Sequence, residues 1–197
     1  MPRREVALGS KWSWFAGFFV GGLVLDQVSK EWVVRNIDHA AREEISLIDG
    51  WLSFVHAHNT GAAFSMLEGM HYLFLVITLI AIGVVVHMLR DLPSQERFQS
   101  SVLGLILSGA VGNAFDRLRF GWVTDFIKVY TEHPTLKPYL IETIGTNVYP
   151  IFNVADASLL VGVFVFLFQS LRADEPEDSP EEHALIGDVA AEPSVED

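Results

Sequence analysis

An all-α transmembrane protein, a four-helix transmembrane bundle with a small β-cradle between its first two helices, is the fold class this sequence predicts. Three observations predict it. Half of the 197 residues are hydrophobic, with 14 Phe and 5 Trp, more apolar than a small water-soluble domain of this length. The apolar residues gather into four runs, about 12–32, 71–89, 98–115 and 154–171, each near the roughly 20 residues a helix needs to cross a bilayer. Between the first two runs the pattern changes to short strand-like stretches around a turn dipeptide.

The first run is apolar from Trp12 to Leu25 and then carries Asp26-Gln27-Val28-Ser29-Lys30-Glu31 into its last turns. Asp26 and Lys30 stand at i, i+4 and can pair on one helix face. A signal peptide is the competing reading of Arg3, Arg4 and Lys11 before an apolar core, but no small-x-small cleavage site follows. Next, Ile45-Ser46-Leu47 and Trp51 to Val55 flank Asp49-Gly50, which predicts a hairpin or small sheet over about 44–66. That segment ends in His58-Asn59-Thr60-Gly61-Ala62-Ala63-Phe64, small residues suited to close backbone approach. The second run, 71–89, holds no Asp, Glu, Lys or Arg. In the third, Gly104, Ser108 and Gly112 recur every four positions, and Ser158 and Gly162 repeat that spacing in the fourth, so both helices offer a face for a neighbouring backbone.

Charge says little about partners. Net charge is −12, but the ten acidic residues after Arg172, with no Lys or Arg among them, leave −2 for the rest. The acidity describes a tail, 173–197, expected to be disordered and dispensable for chemistry, and not a nucleic-acid surface. Without cysteine there is no disulfide, thiol nucleophile or thiolate-bound metal. Four spans put both termini on one side with six cations, against seven on the other. The three cations leading the first helix favour cytoplasmic termini.

Ionisable groups at membrane depth cost about 2.5–3.5 kcal/mol on insertion scales, so each needs a reason. Asp26 has Lys30, and Asp116 has Arg117 beside it as a structural ion pair at a helix end. Asp125, in Val123-Thr124-Asp125-Phe126, and Asp156, in Phe152-Asn153-Val154-Ala155-Asp156, have no local partner. Two adjacent carboxylates cannot both ionise readily; sharing one proton, they supply a base to activate water and an acid to protonate a carbonyl oxygen. Spacing alone does not bring these two together. The bland alternative for Asn153 and Asp156 is a helix N-cap. Asn59, Asn113 and Asn153 can donate hydrogen bonds to a carboxylate or a substrate carbonyl without adding charge.

His56 and His58 share a strand face, but no third ligand is evident, so they read as interfacial side chains and no metal or other cofactor is expected. Ser29-Lys30 cannot be a serine–lysine dyad, because helix neighbours diverge by about 100°.

Five blocks, Asp26-Gln-Val-Ser-Lys30, Asn59-x-Gly61-Ala-Ala-Phe64, Gly112-Asn113-x-x-Asp116-Arg117, Val-x-Asp125-Phe and Phe152-Asn153-x-Ala155-Asp156, together resemble the bacterial lipoprotein signal peptidases, signal peptidase II. The resemblance implies a peptidase domain over 1–172, an inner-membrane aspartyl endopeptidase that cuts diacylglyceryl-modified prolipoproteins before the lipid-bearing cysteine. It places Asp125 and Asp156 as the catalytic pair. Asp26, Lys30, Asn59, Gly61, Asn113, Asp116, Arg117 and Asn153 fall at substrate-binding or site-supporting positions. It also implies a periplasmic site and cradle, cytoplasmic termini and membrane lipid as surroundings; the chain is expected to act as a monomer. The stretch about 131–150 is longer than the family pattern and reads as an inserted periplasmic loop that shapes access. The reading from another class is a small proton- or ion-coupled transporter, since buried Asp and Asn also carry ions across membranes. Against it, the carboxylates cluster at helix ends and no inverted repeat is visible.

Overall fold

The computed structural model describes residues 10–61 and 70–173. Ala62, Ala63 and Phe64, the end of the predicted cradle and the acidic tail beyond Ala173 lie outside the described residues. In chain order the elements are α1 (Lys11–Asn36), β1 (Glu44–Ile48), β2 (Leu52–Asn59), α2 (His71–Asp91), α3 (Arg97–Phe120), β3 (Val123–Val129), α4 (Leu136–Ile144) and α5 (Val154–Ala173). The described residues thus contain five helices where the sequence predicts four. The extra one, α4, is nine residues long, carries Pro138 in its first turn and ends on Gly145 at φ 81°. So short a helix has no span-length apolar run to announce it, and its place inside 131–150 reads as loop.

Among the described residues three helices are long and apolar enough to cross a membrane: Tyr72–Asp91, Arg97–Phe120 and Val154–Arg172. α1 reaches about 39 Å at roughly 1.5 Å per residue, but Gly17, Gly21, Gly22 and the Asp26-Gln27 pair dilute its apolar residues. α3 extends past the predicted 98–115, so Asp116 and Arg117 lie within its last turn, which Gly121 closes in the left-handed conformation at φ 83°.

α3 is the central helix, packed between α1, α5 and α2. Its small residues make this possible. A Cβ on Gly104 would stand 2.5 Å from the Phe15 carbonyl oxygen of α1, and one on Gly109 would run into the Ala155 carbonyl of α5. Gly22 faces Ser108 across the α1–α3 seam, and Gly162 faces Ile106. Val85 and Leu89 of α2 close a buried cluster with Leu103 and Leu107. At the far end of α2 the buried Lys11 ammonium donates to the Arg90 and Leu92 carbonyls, a cation placed where a helix terminus gathers negative charge.

The sheet is antiparallel in the order β1-β2-β3. The β1–β2 hairpin turns at Asp49-Gly50 as predicted, with Gly50 at φ 77°. The third strand is a correction to the predicted cradle, because β3 arrives from beyond α3 to pair with β2. Val33 and Ile37 at the end of α1 pack on Phe126, joining sheet to bundle. Backbone bonds from Phe126 and Ile127 to the Phe152 carbonyl, returned by Phe152 to Ile127, then fix the start of α5 against β3. This staple positions the site.

Candidate active site

Asp125 lies on β3 opposite Ala57, and Asn59 lies opposite Val123. The two are therefore diagonal neighbours on one sheet face, within side-chain reach, and the Asn59 amide donates to Asp125 Oδ2 at 2.8 Å. The other carboxylate oxygen accepts from Asn153 Nδ2 at 2.7 Å. Asn153 is also the residue before α5, and its Oδ1 accepts the Asp156 backbone N–H at 2.9 Å while Asp156 Oδ2 accepts the Asn153 N–H at 3.2 Å. This is a reciprocal capping box with Asp in the acidic position. The N-cap reading and the site reading are both satisfied: Oδ2 of Asp156 closes the cap, and Oδ1 accepts from Asn113 Nδ2 at 2.7 Å.

Asn113 has its orientation fixed from outside, since its Oδ1 accepts from Lys30 at 3.0 Å and from Asn153 at 3.1 Å. Lys30 is buried and bridges two carboxylates, Asp26 at 2.9 Å and Asp116 at 3.2 Å. Each of these has a second task. Asp26 Oδ1 accepts the Ala155 N–H at the start of α5, 2.9 Å away, and Asp116 Oδ2 accepts the Thr124 N–H beside Asp125, 3.0 Å away. The triad therefore anchors the two segments that bear Asp125 and Asp156.

Among the described residues no ion pair joins Asp116 to Arg117, contrary to the pairing predicted from their adjacency. Successive helix residues point about 100° apart. Arg117 instead donates to the Gly61 carbonyl at 3.2 Å and lies 4.3 Å from the Phe74 ring centroid. Gly61 in turn donates its N–H to Asn59 Oδ1 at 3.0 Å. All ten residues singled out in the sequence thus belong to one connected network. Two members escaped the sequence reading: Gln27, which donates to Asp26 at 3.0 Å, and Thr124, whose amide holds Asp116. Gln27 stood inside a quoted motif, whereas nothing local marks Thr124.

Asp125 is 2% exposed and Asp156 is half-buried. Burial first, and the neighbouring Asp156 charge second, push the Asp125 carboxyl up to about 7, with Asn59, Asn153 and Lys30 acting in the opposite direction. A cleft of about 600 Å³ opens onto Asp156, Asn59, Asn113 and Arg117. Its walls are mainly apolar, with Phe74 and Ile77 from α2, Leu160 from α5 and Tyr149-Pro150 from the segment after α4.

The histidines need a correction. His39, from the α1–β1 connection, joins His56 and His58, and one nitrogen from each lies within 4.8 Å of the others. The third imidazole that the sequence reading lacked is present. Burial, followed by the proximity of His39 and His56, holds the His58 imidazole below its ordinary range.

Comparison with known proteins points the same way. The family model described as Signal peptidase (SPase) II matches residues 18–172. A lipoprotein signal peptidase of Geobacillus kaustophilus is 38% identical over 168 residues, 85% of this chain and 97% of that protein. One from Psychromonas ingrahamii is 33% identical over 171 residues, covering 85% and 88%. A solved bacterial membrane enzyme superposes with a TM-score of 0.70 at 26% identity, covering 84% of this chain and 92% of that one.

Proposed function

The chain belongs to the signal peptidase II family, and from that premise we propose that it removes signal peptides from prolipoproteins by aspartyl peptide hydrolysis at Asp125 and Asp156. The observation that carries the proposal is the shared scaffold of the two carboxyls. Asn153 donates to one and is capped by the other, so the start of α5 and strand β3 cannot move independently.

The two carboxyls share one proton, and burial favours it on Asp125. The ionised partner takes a proton from water as the water oxygen bonds to the scissile carbonyl carbon, and the acid gives its proton to the carbonyl oxygen. Collapse of this tetrahedral intermediate breaks the C–N bond as the protonated carboxyl delivers its proton to the departing amine and the other carboxylate takes one from a hydroxyl of the intermediate, leaving the pair with one proton again. Arg117, which lines the cleft, stabilises the negative charge that builds on the carbonyl oxygen before that proton arrives, while the asparagine amides hold the two carboxyls in place.

The substrates are prolipoproteins whose cysteine carries a diacylglyceryl group. The apolar cleft walls accept acyl chains that remain in the bilayer, so their burial supplies much of the binding. α1 serves as the fourth span. Its outward residues are apolar and open, Val24 at 55%, Leu25 at 60% and Val28 at 63% exposed, while Asp26 and Lys30 on the inner face are covered. The sheet, α4 and the site then lie on the periplasmic side of the inner membrane, with both termini in the cytoplasm and one chain sufficient for activity. The segment around α4 shapes substrate access from above.

The test is incubation of the purified protein with a diacylglyceryl-modified precursor peptide and with the unmodified one. Cleavage of the first, before the cysteine, with the second left intact supports the proposal. Proton-coupled uptake in vesicles without cleavage replaces it with a transporter. Turnover unchanged after deletion of Thr135 to Gly145 refutes the role given to α4 alone.

A further inference from the structure

We propose that His39, His56 and His58 form a site for one divalent transition-metal ion of the zinc class, on the sheet face turned away from Asp125. The register places it. Ala57 lies opposite Asp125 and His58 opposite Thr124, so alternation along β2 sends His58 to the other face. His56 follows it there, its ring centroid 5.0 Å from that of His58. His39 stacks on His58 at 3.9 Å, and Trp122 stacks on His58 at 4.4 Å.

Ring stacking by itself asks nothing of the nitrogens, yet two of them are committed. His39 Nδ1 lies 2.6 Å from the His56 carbonyl oxygen, and His56 Nδ1 lies 3.1 Å from the Ile37 carbonyl oxygen. A carbonyl can only accept, so each Nδ1 carries the hydrogen, and in the neutral ring the Nε2 lone pair is left open. A ring N–H donated to a backbone carbonyl is the outer-shell arrangement that orients metal-binding histidines.

Bonds of about 2.0–2.1 Å at tetrahedral angles set ligand nitrogens about 3.4 Å apart. One ring nitrogen from each of the three already lies within 4.8 Å of the others, so binding needs the rings to turn and their nitrogens to close by an ångström or more. Coordination also requires the His58 ring to leave its stacks on His39 and Trp122 and turn, a movement that the exposure of His39 and His58 allows. Three imidazoles and a water complete four-coordination, and neutral nitrogen donors select zinc-like ions over magnesium or calcium. The ion would tie the α1–β1 connection to β2 one residue before Asn59, which reaches Asp125.

The experiment uses the full chain, purified without a polyhistidine tag and titrated with Zn2+ by calorimetry and with Co2+ by visible absorption. One equivalent should bind, with Co2+ giving the intense spectrum of four-coordination. His39→Gln, His56→Gln and His58→Gln should each weaken affinity at least about tenfold, while His87→Gln and His133→Gln leave it unchanged. Far-UV circular dichroism establishes that each variant is folded, and His39→Gln, on an exposed connection, keeps the test available if a strand variant misfolds. Absence of stoichiometric binding, or affinity indifferent to His39→Gln, overturns the proposal.

Discussion

At the level of single residues the proposed chemistry depends on Asp125, a carboxyl 2% exposed and pushed up to about 7. Its raised value means that the folded protein holds this proton more tightly than the unfolded chain. The associated stability is complete below the ordinary carboxylate range and is lost as pH rises through about 7. Thermal unfolding in detergent should therefore show Asp125→Asn gaining on the parent between pH 5 and pH 8, and a constant difference would contradict the assignment. In the proposed mechanism the same proton is needed for catalysis, so kcat/KM should fall on the alkaline side with an apparent pKa near 7. Of the partners at this site, the local one, Lys30 for Asp26 at i, i+4, was readable in the sequence, but the distant ones were not. Adjacency suggested Asp116 with Arg117, whereas Lys30, on a different helix, holds Asp116 at 3.2 Å. Helix geometry turns neighbours apart, and only packing decides which distant group fills the space.

Among the elements, α3 carries the strictest requirements. A Cβ at Gly112 would come within 2.6 Å of Asp26 Oδ2, so Gly112→Ala should cost about 1–3 kcal/mol through overpacking and disturb the Asp26–Lys30–Asp116 triad. Gly83→Ala, with nothing within 4 Å of the added carbon, is the control and should be neutral or slightly stabilising. Lys30→Met leaves two buried carboxylates without their cation and should cost about 3–5 kcal/mol, read as a loss of melting temperature with a parallel loss of turnover. The every-fourth-residue run of small side chains made the α3 seams legible in advance. β3 was not legible as part of the cradle, because its pairing with β2 joins residues more than sixty positions apart and no local pattern encodes it. α4 was missed because a nine-residue helix lacks the apolar length that identified the others.

For the whole molecule the claim is a bundle that closes on lipid with its chemistry at one end. Outward side chains such as Leu79, Leu160 and Phe164 are each about two-thirds exposed, with 67%, 65% and 67% of their surface open, which suits a hydrocarbon solvent. The absence of native cysteine allows a direct topology test. Asp49→Cys in the β1–β2 turn should react with an impermeant maleimide added to spheroplasts, and Gln95→Cys between α2 and α3 should not; the reverse pattern would invert the proposed orientation. The most direct test of the central claim is single-turnover cleavage of a diacylglyceryl-modified precursor by Asp125→Asn, Asp156→Asn and the double variant. Carboxyls that act as one unit predict that each single change lowers the rate by about 10²–10⁴-fold or more and that the double change adds little. A single variant retaining a tenth or more of the parent rate would contradict the shared-proton pair.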